Sequence, residues 1–498
     1  MGIVKKQSIY GTLLSYIGVV VGFVNIAYLF PRFFEPEQLG LRSVLVEFSM
    51  LFAQVSFLGF NGVITKYFPY FRNEEKKHNG FLFIVSTIPF VGFTLFVFIF
   101  LFFKAELLGI YRDKSPLILE YYYLIFPIAF FMLYTNILDA YIRSFLKVIF
   151  SNFVKEILIR LLLLAILILF AFHLLSIHQF WYLFAASYAM AFFVLLIYIQ
   201  RLNQIHIKPD FNFLSPDLFK GMMSFGFFSL FSGAANLVVL KIDSFMLSGM
   251  MGLNETGVYA LAVYIATIIE TPKRSLNQIA DPLLSQAWKI NDLAKVDELY
   301  KKSALNLLII GGALFLLLWL NIDQLFEFIP KKEIYIQGKW VIFFIGLAKL
   351  FDMATGMNGE IISYSKHYRF GLYSIIILAL ITIGMNYLLI PLYGLLGAAI
   401  ATAFSVFIYN IIKYIYLYVM YKLQPFNWHT GLIILTGLAA YFLVFYLPKP
   451  GNPFLSIVFS STVASIVFFA PILALNLSPE INDTLKKVWS LLVKEKKK

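Results

Sequence analysis

The chain contains no cysteine in 498 residues. Disulfides, thiolate zinc sites, iron–sulfur clusters and a cysteine nucleophile are therefore excluded. Charge is nearly as scarce: Asp, Glu, Lys and Arg make up 13% of the composition, against 60% hydrophobic residues and a mean hydropathy of +0.82. A water-soluble domain of this length could not cover so much apolar surface with so few charges. The six histidines (His78, His173, His178, His206, His367 and His429) are scattered, with no pair at the i, i+4 spacing of a helical metal site. His173 and His178 lie five apart in a short loop, where ordinary interfacial placement accounts for them. There is no Asp-x-Asp metal clamp, no Gly-rich phosphate loop ending in Lys and Ser/Thr, and no arguable Ser/His/Asp set. The reading is a protein that is not an enzyme, calls for no cofactor or metal, and does not itself handle ATP.

What the chain does have is apolar length. About fourteen runs, each near the ~20 residues that a bilayer core demands, follow one another from Ile9 to Leu475, as in Ile157–Phe172, Leu305–Leu320 and Ile375–Ile390. The expected spans are 9–30, 43–63, 81–103, 117–138, 154–173, 179–200, 219–247, 257–277, 304–321, 338–361, 370–390, 394–420, 430–447 and 453–475. The expected fold class is an all-α polytopic membrane protein. MGIVKKQS at the N-terminus shows no cleavable signal, so the first run stays as a span.

The net charge of +13 would suggest nucleic acid in a soluble chain, but in a membrane protein it reports orientation, because cytoplasmic loops collect Lys and Arg. With the N-terminus inside, 28 of the 40 basic residues fall on the cytoplasmic face, among them Lys66, Arg72, Lys76, Lys77, Lys208, Lys289, Lys413 and six tail lysines from Lys486 to Lys498. Nine fall on the other face and three lie inside spans. That threefold excess predicts both termini in the cytoplasm and an even number of spans.

Residues 1–205 and 215–422 read as two copies of one six-helix plan. Glu35-Pro-Glu-Gln-Leu-Gly40 matches Leu253-Asn-Glu-Thr-Gly257 about 217 residues on, and Ala140–Lys147 matches Glu360–Lys366 at nearly the same offset. Six is even, so both copies enter from the same side. They are expected to be parallel repeats, an N-terminal and a C-terminal lobe, with a cleft between them. Residues 423–498 add two further helices and a basic cytoplasmic tail. The inner segment Asp281–Ser303 places Leu284, Trp288, Val296, Leu299 and Tyr300 at roughly helical spacing against a charged face, which predicts a helix on the membrane surface. A plain cap between two spans would show the same pattern.

Ionisable groups inside a span cost ~2.5–3.5 kcal/mol or more each and usually face a cavity or a partner. Arg160, Lys241 and Lys349 are the interior cations. Glu47, Asp243, Glu270 and Asp352 are the interior anions. Lys349 and Asp352, three apart, share a helix face and can pair, whereas Lys241 and Asp243 cannot align as well. A structural ion pair or a snorkelling end residue is the plain alternative for each, and Arg42 and Lys241 fit an interfacial position as well.

The run Asn386-Tyr-Leu-Leu-Ile-Pro-Leu-Tyr-Gly-Leu-Leu-Gly-Ala-Ala-Ile-Ala-Thr402 resembles the eleventh-helix signature of the polysaccharide-biosynthesis branch of the multidrug/oligosaccharidyl-lipid/polysaccharide exporter superfamily. Physically it predicts a helix stopped by Pro391, a tight turn at Gly394 and a small-residue packing face at Gly397, Ala398, Ala399 and Ala401. Asp243 with Glu255–Tyr259, and Pro282-Leu-Leu-Ser285, agree with the resemblance. It implies MATE-like lobes alternating between inward-open and outward-open. The implied activity is that of a flippase carrying an undecaprenyl-pyrophosphate-linked oligosaccharide, such as an O-antigen or other surface-polysaccharide repeat, across the bacterial cytoplasmic (inner) membrane. Arg160, Lys241 and Lys349 would then draw the pyrophosphate, and Glu47, Asp243, Glu270 and Asp352 would couple an ion or supply counter-charge. The partners implied are the lipid-linked oligosaccharide, membrane lipids, a polysaccharide polymerase and glycosyltransferases, with no nucleic acid. Other readings stay open: a cation-coupled multidrug or lipid II exporter on the same scaffold, a membrane glycosyltransferase or acyltransferase, and a non-transporting scaffold.

Overall fold

A computed structural model describes residues 14, 17–145, 147–206, 208–480 and 482, with the backbone alone at 232, 275, 278 and 279. The opening of the expected first span, Lys5, Lys6 and the basic tail from 483 onward lie outside the described residues. In hydrocarbon each backbone amide must be satisfied within the chain, and the described residues accordingly form helices and no strand. The longer helices are α1 Ile17–Phe33, α2 Pro36–Ser56, α3 Phe60–Phe71, α4 Phe81–Phe102, α5 Ile125–Ser144, α6 Ile159–Ala171, α7 Ile177–Arg201, α8 Pro216–Met250 and α9 Leu253–Ala266. They continue as α10 Thr271–Lys289, α11 Leu293–Leu320, α12 Lys339–Ala354, α13 Arg369–Tyr393, α14 Leu395–Tyr421, α15 Trp428–Tyr446 and α16 Pro453–Ala474.

Among the described residues eleven helices are long and apolar enough to cross a bilayer: α2, α4, α5, α7, α8 and α11 to α16. The other three expected spans fall on α1, α6 and α9, which are helical but interrupted. α1 carries a π-turn at Val24–Leu29, a second π-turn at Val154–Leu158 precedes α6, and α9 passes through a 3-10 turn, Thr267–Glu270, into α10. The last two interruptions hold Lys155, Glu156 and Glu270, with Arg160, Lys273 and Arg274 close behind. Local helix irregularity and interior charge therefore coincide.

Helix starts follow local chemistry. Ser176 caps α7 in a reciprocal box with Gln179, Asn427 and Thr430 do the same for α15, and Ser215 accepts the Leu218 amide at the head of α8 with Pro216 in its first turn. Two expectations are corrected at helix ends. Pro391 does not stop its helix: α13 continues to Tyr393, and the break comes at Gly394, whose φ of 58° is left-handed. The Asp281–Ser303 segment is not one surface helix. It is the end of α10 and the start of α11, parted at Asn291 (φ 53°), with Asp292 capping α11 by accepting the Lys295 amide at 2.9 Å. Leu284, Val296 and Tyr300 pack with Met357, Ile361 and Leu417, which is the capping role.

Backbone contacts divide the chain into two compact units, Met1–Leu261 with Thr382–Leu395, and Ala262–Ile381 with Leu396–Lys498. In the first, α5 lies along α2 and α7. Its core is aromatic, with Phe68 set edge-on to Phe81, Tyr141 and Phe145. In the second, α11 packs on α15 and α16 through Ala313, Leu316, Ala440, Ala464 and Phe468.

The two matched loops of the sequence meet inside the first unit. A Cβ on Gly40 would collide with the Leu253 carbonyl oxygen, and a Cβ on Gly257 with the Pro36 carbonyl oxygen. Each such Cβ would also stand 3.1 Å from the other glycine's nitrogen. The contact is reciprocal, and Pro36 to Leu253 and Gly40 to Gly257 are both steps of 217 residues. The first turns of α2 and α9 thus cross about a local two-fold axis, at a separation that only glycine permits.

Overpacking of this kind costs about 1–3 kcal/mol, so Gly40→Val and Gly257→Val should each lower the unfolding temperature in detergent by several degrees. The double variant should lose less than the sum, because both press on one crossing. Gly109→Val, where a Cβ meets nothing within 4 Å, is the control. Unchanged melting in the first two would contradict the crossing.

At the inner segment, burial and the neighbouring Glu360 charge push the Asp281 carboxyl up from 3.8 to about 6. Between those two values the folded chain holds a proton that the unfolded chain has lost. Stability from this group is therefore greatest at low pH and falls as pH rises through the window. Asp281→Asn should flatten that slope in a pH series of thermal unfolding.

Candidate functional site

The interior charges fall into a few small constellations, and apart from Arg160, which pairs with Glu156 one turn back, their partners lie on other helical segments. On α2, Glu47 is buried (7% exposed) and accepts from the Lys241 ammonium of α8 at 2.9 Å. Ser43, one turn earlier, donates to the same Glu47 oxygen at 3.3 Å. Gly233 lies against the Gln54 amide, so the polar face of α2 runs along α8 for two turns. Two residues beyond Lys241, Asp243 faces elsewhere, as expected from a 200° rotation along a helix. Its carboxylate accepts from Asn386 Nδ2 at 2.7 Å and from the Tyr259 hydroxyl at 2.6 Å, all three being buried. Asn386 opens the family-like run on α13, so the signature residue and the interior acid belong to one site.

Arg160 follows the π-turn before α6. Its guanidinium pairs with Glu156 at 2.8 Å and also reaches the Glu156 carbonyl, while the Arg160 carbonyl accepts from Asn25 Nδ2 at 2.7 Å. Asn25 lies in the π-turn of α1, so the two irregular turns are stitched together. A Cβ at Gly18 would strike the Arg160 guanidinium, so glycine there makes room for it.

The second unit holds a larger network. The expected Lys349–Asp352 pair along α12 does not form. Lys349 pairs with Glu270, and Asp352 takes the Lys273 ammonium at 2.5 Å. The reason is competition: the turn Thr267–Glu270 packs on α12, and it and the first turn of α10 offer a carboxylate and an ammonium to the same helix face. Asp352 also accepts from Asn410 Nδ2 of α14 at 3.2 Å. The Asn410 carbonyl oxygen in turn accepts from Thr355 and Asn358, each at 2.9 Å. Glu360 accepts from Asn277 at 2.5 Å. Lys413, one helical turn beyond Asn410, is buried at 4% exposure with its ammonium 3.9 Å from the centre of the Tyr409 ring. The basic-residue count placed Lys413 with the cytoplasmic loops; it sits instead inside this network. Three cations (Lys273, Lys349, Lys413) thus stand among three anions (Glu270, Asp352, Glu360).

These pairs are well joined yet not sealed. The side chains of Lys349 and Glu270 are 25% and 23% exposed, those of Lys241 and Glu47 28% and 10%. A charge pair inside a span is costly in contact with lipid tails, and such pairs usually face the bundle interior or water. Asn386, Tyr259, Asn410, Lys273 and Lys413 are the site residues that sequence reasoning did not place. The signal that could have found them was spacing: Asn410 and Lys413 share one face of an otherwise apolar helix, as do Glu270, Lys273 and Asn277 of the preceding turns. Among the described residues no three His, Asp or Glu side chains gather as metal ligands.

The sequence and the fold resemble those of known proteins. The family model described as Polysaccharide biosynthesis protein matches residues 4–288, and the MatE model matches residues 229–388. An uncharacterized membrane protein of Methanocaldococcus jannaschii, MJ1068, is 24% identical over 472 residues, covering 87% of this chain and 88% of its own. The capsular polysaccharide biosynthesis protein CapF of Staphylococcus aureus is 24% identical over 188 residues, 38% of this chain and 47% of its own. Among solved structures, the lipid II flippase MurJ in an inward closed conformation superposes with a TM-score of 0.68 at 14% identity, covering 93% of this chain and 97% of that one. An inward-facing multidrug resistance MATE transporter gives 0.61 at 16% identity, covering 81% and 93%. The fold is that of the MurJ and MATE structures, and the chain belongs to the polysaccharide biosynthesis protein family within the multidrug/oligosaccharidyl-lipid/polysaccharide exporter superfamily.

Proposed function

We propose that this protein is a flippase that moves an undecaprenyl-pyrophosphate-linked oligosaccharide from the inner to the outer leaflet of a bacterial cytoplasmic membrane by alternating access. The observation that carries the reading is the set of half-open ion pairs inside spans, in a chain of the polysaccharide biosynthesis family. A pyrophosphate is the kind of group that competes for a lysine or arginine already holding a carboxylate, because it brings more charge and more acceptor oxygens. In this reading Arg160, Lys241 and Lys349 attract the pyrophosphate, and Glu156, Glu47 and Glu270 hold those cations in place while the site is empty. Asp243, with Asn386 and Tyr259, and Asp352, with Lys273 and Asn410, are the acids available for ion coupling. Residues 1–205 and 215–422 act as the two moving lobes, residues 423–498 stand beside them, and both termini lie in the cytoplasm. The Gly40–Gly257 crossing supports the two-lobe reading, since it joins equivalent points of the two copies. Glycosyltransferases supply the cargo and a polysaccharide polymerase consumes it.

A second reading, a lipid II exporter on the same scaffold, is favoured by one observation: the MurJ superposition reaches 93% of this chain, where the MATE structures reach 81–83%. A multidrug exporter is the remaining transport alternative. Gene neighbourhood separates the three, since adjacent glycosyltransferases and a polymerase favour the glycan cargo and a drug-responsive regulator disfavours it.

Arg160→Ala and Lys349→Ala should abolish complementation of a strain lacking its polysaccharide flippase while leaving protein levels unchanged. Normal surface polysaccharide with both variants would sink the cationic role. For the Glu47–Lys241 pair, Glu47→Lys with Lys241→Glu should recover the folded yield that either single change loses, because breaking a buried pair costs about 3–5 kcal/mol and the swap restores it. Transport should not recover, since the cation has moved to the other helix. Asp243→Asn keeps the shape of its site and removes its charge. It should lower gradient-driven flipping in proteoliposomes about tenfold or more while leaving gradient-free equilibration in place, a loss equivalent to about 1.4 kcal/mol of coupling.

A further inference from the structure

Outside the spans, and outside the transport reading, the first unit holds a basic cavity. The loop between α3 and α4 and the loop between α7 and α8 border an open pocket of about 650 Å³, lined by Lys76, Lys77, Gly80, His206, Lys208 and Asp210 among others. Three lysines and an imidazole converge there, and no arginine lines it. Its one carboxylate serves its own loop, where Asp210 Oδ1 accepts the backbone amides of Asn212 at 3.2 Å and Phe213 at 3.3 Å and so closes the turn.

The wall of this cavity is held in a costly conformation. Lys77, His78, Asn79 and Gly80 have consecutive positive φ angles of 51°, 53°, 47° and 68°. Left-handed backbone at a residue with a side chain crowds Cβ against the following carbonyl oxygen, and three such residues in a row persist only where the surroundings over-determine them. They do so here. His78 is buried between Phe68 and Phe145, its Nδ1 accepts the Asn73 amide at 3.2 Å, and its Nε2 lies 2.7 Å from Gln204 Oε1. Gly80 is pressed against the second loop, where a Cβ would come within 2.5 Å of the Lys208 carbonyl oxygen and 2.6 Å of Pro209 Cα. The strained run thus fixes Lys76 and Lys77 opposite Lys208 and His206. Strain of this kind gathers at ligand clamps.

We propose that this cavity is a binding site for a phosphoryl anion, separate from the charge pairs inside the spans. Lysines present compact point charges that suit a tetrahedral, multiply charged anion, whereas a carboxylate would favour an arginine fork. The volume exceeds a single phosphate and admits a diphosphate or a glycerophosphate headgroup. Two sources share that chemistry, an anionic phospholipid at the membrane surface and a soluble diphosphate. His206 reports occupancy. Burial, then the nearby His78 and Lys77, hold its imidazole below the ordinary range, and an anion held by Lys76, Lys77 and Lys208 would pull it back up.

The test uses the full-length protein in nanodiscs with isotope-labelled histidine, His206 being assigned by its loss in His206→Gln. Inorganic pyrophosphate is titrated in phosphatidylcholine discs, and a separate arm replaces part of the lipid with phosphatidylglycerol. A saturable shift of the His206 signal toward protonation with pyrophosphate supports a soluble ligand. The same shift in phosphatidylglycerol discs without pyrophosphate supports a lipid headgroup. In either arm Lys76→Ala/Lys77→Ala/Lys208→Ala should weaken the response about tenfold or more, since hydrogen bonds to charged groups are the stronger ones. Lys208→Gln alone should weaken it in the same direction. The proposal is overturned by no His206 shift in both arms, by an undiminished shift in the triple variant, or by an equal loss in Lys289→Ala/Lys295→Ala, neither of which lines the pocket.

Discussion

A polar group in hydrocarbon has no water to fall back on, and the structure follows from that constraint. It makes every described element a helix, because only a helix satisfies its own backbone. It explains why the first turns of α2 and α9 meet through glycine, since in lipid close backbone approach replaces the hydrophobic drive that would join helices in water. It also decides the fate of the interior charges, which are never left alone. Glu47 finds Lys241, Arg160 finds Glu156, and Asp243 is met by an amide and a phenol.

The same constraint links local irregularity to chemistry. Helix backbones loosen into π-turns or a 3-10 turn around Asn25, Lys155, Glu156 and Glu270, while α2 and α8 carry Glu47, Lys241 and Asp243 without a break. A regular α-helix projects side chains every 100°, and a one-residue insertion re-aims a charge toward its partner on the neighbouring helix. Arg160 and Asn25 show this most directly, each standing at or beside such a turn and tied to the other through a backbone carbonyl.

Much of the architecture was legible in the sequence because the relevant quantities are one-dimensional. The length of an apolar run, a charge within it and the run from Asn386 to Thr402 can be read without knowing what lies beside them. The seven interior charges named from sequence all prove to be engaged in polar contacts. Their partners were not legible, because a partner depends on which helices are neighbours. Lys349 has Asp352 one turn away on its own helix, yet takes Glu270, since Lys273 claims Asp352 from the adjoining segment. Asn410 and Lys413 were passed over for a related reason: a single amide in an apolar helix gives no sign of its role until Asp352 is placed against it. Pro391 misled in the opposite direction, because a helix can carry a proline through its last turn when the break is supplied three residues later by Gly394.

The network around Asp352 has a consequence for the cost of motion. Lys273, Lys349 and Lys413 stand among Glu270, Asp352 and Glu360, so the formal charges of these six side chains cancel. Moving one elementary charge through the membrane field takes about 2.3 kcal/mol per 100 mV. A set whose formal charges cancel does little of that work when it moves as one body.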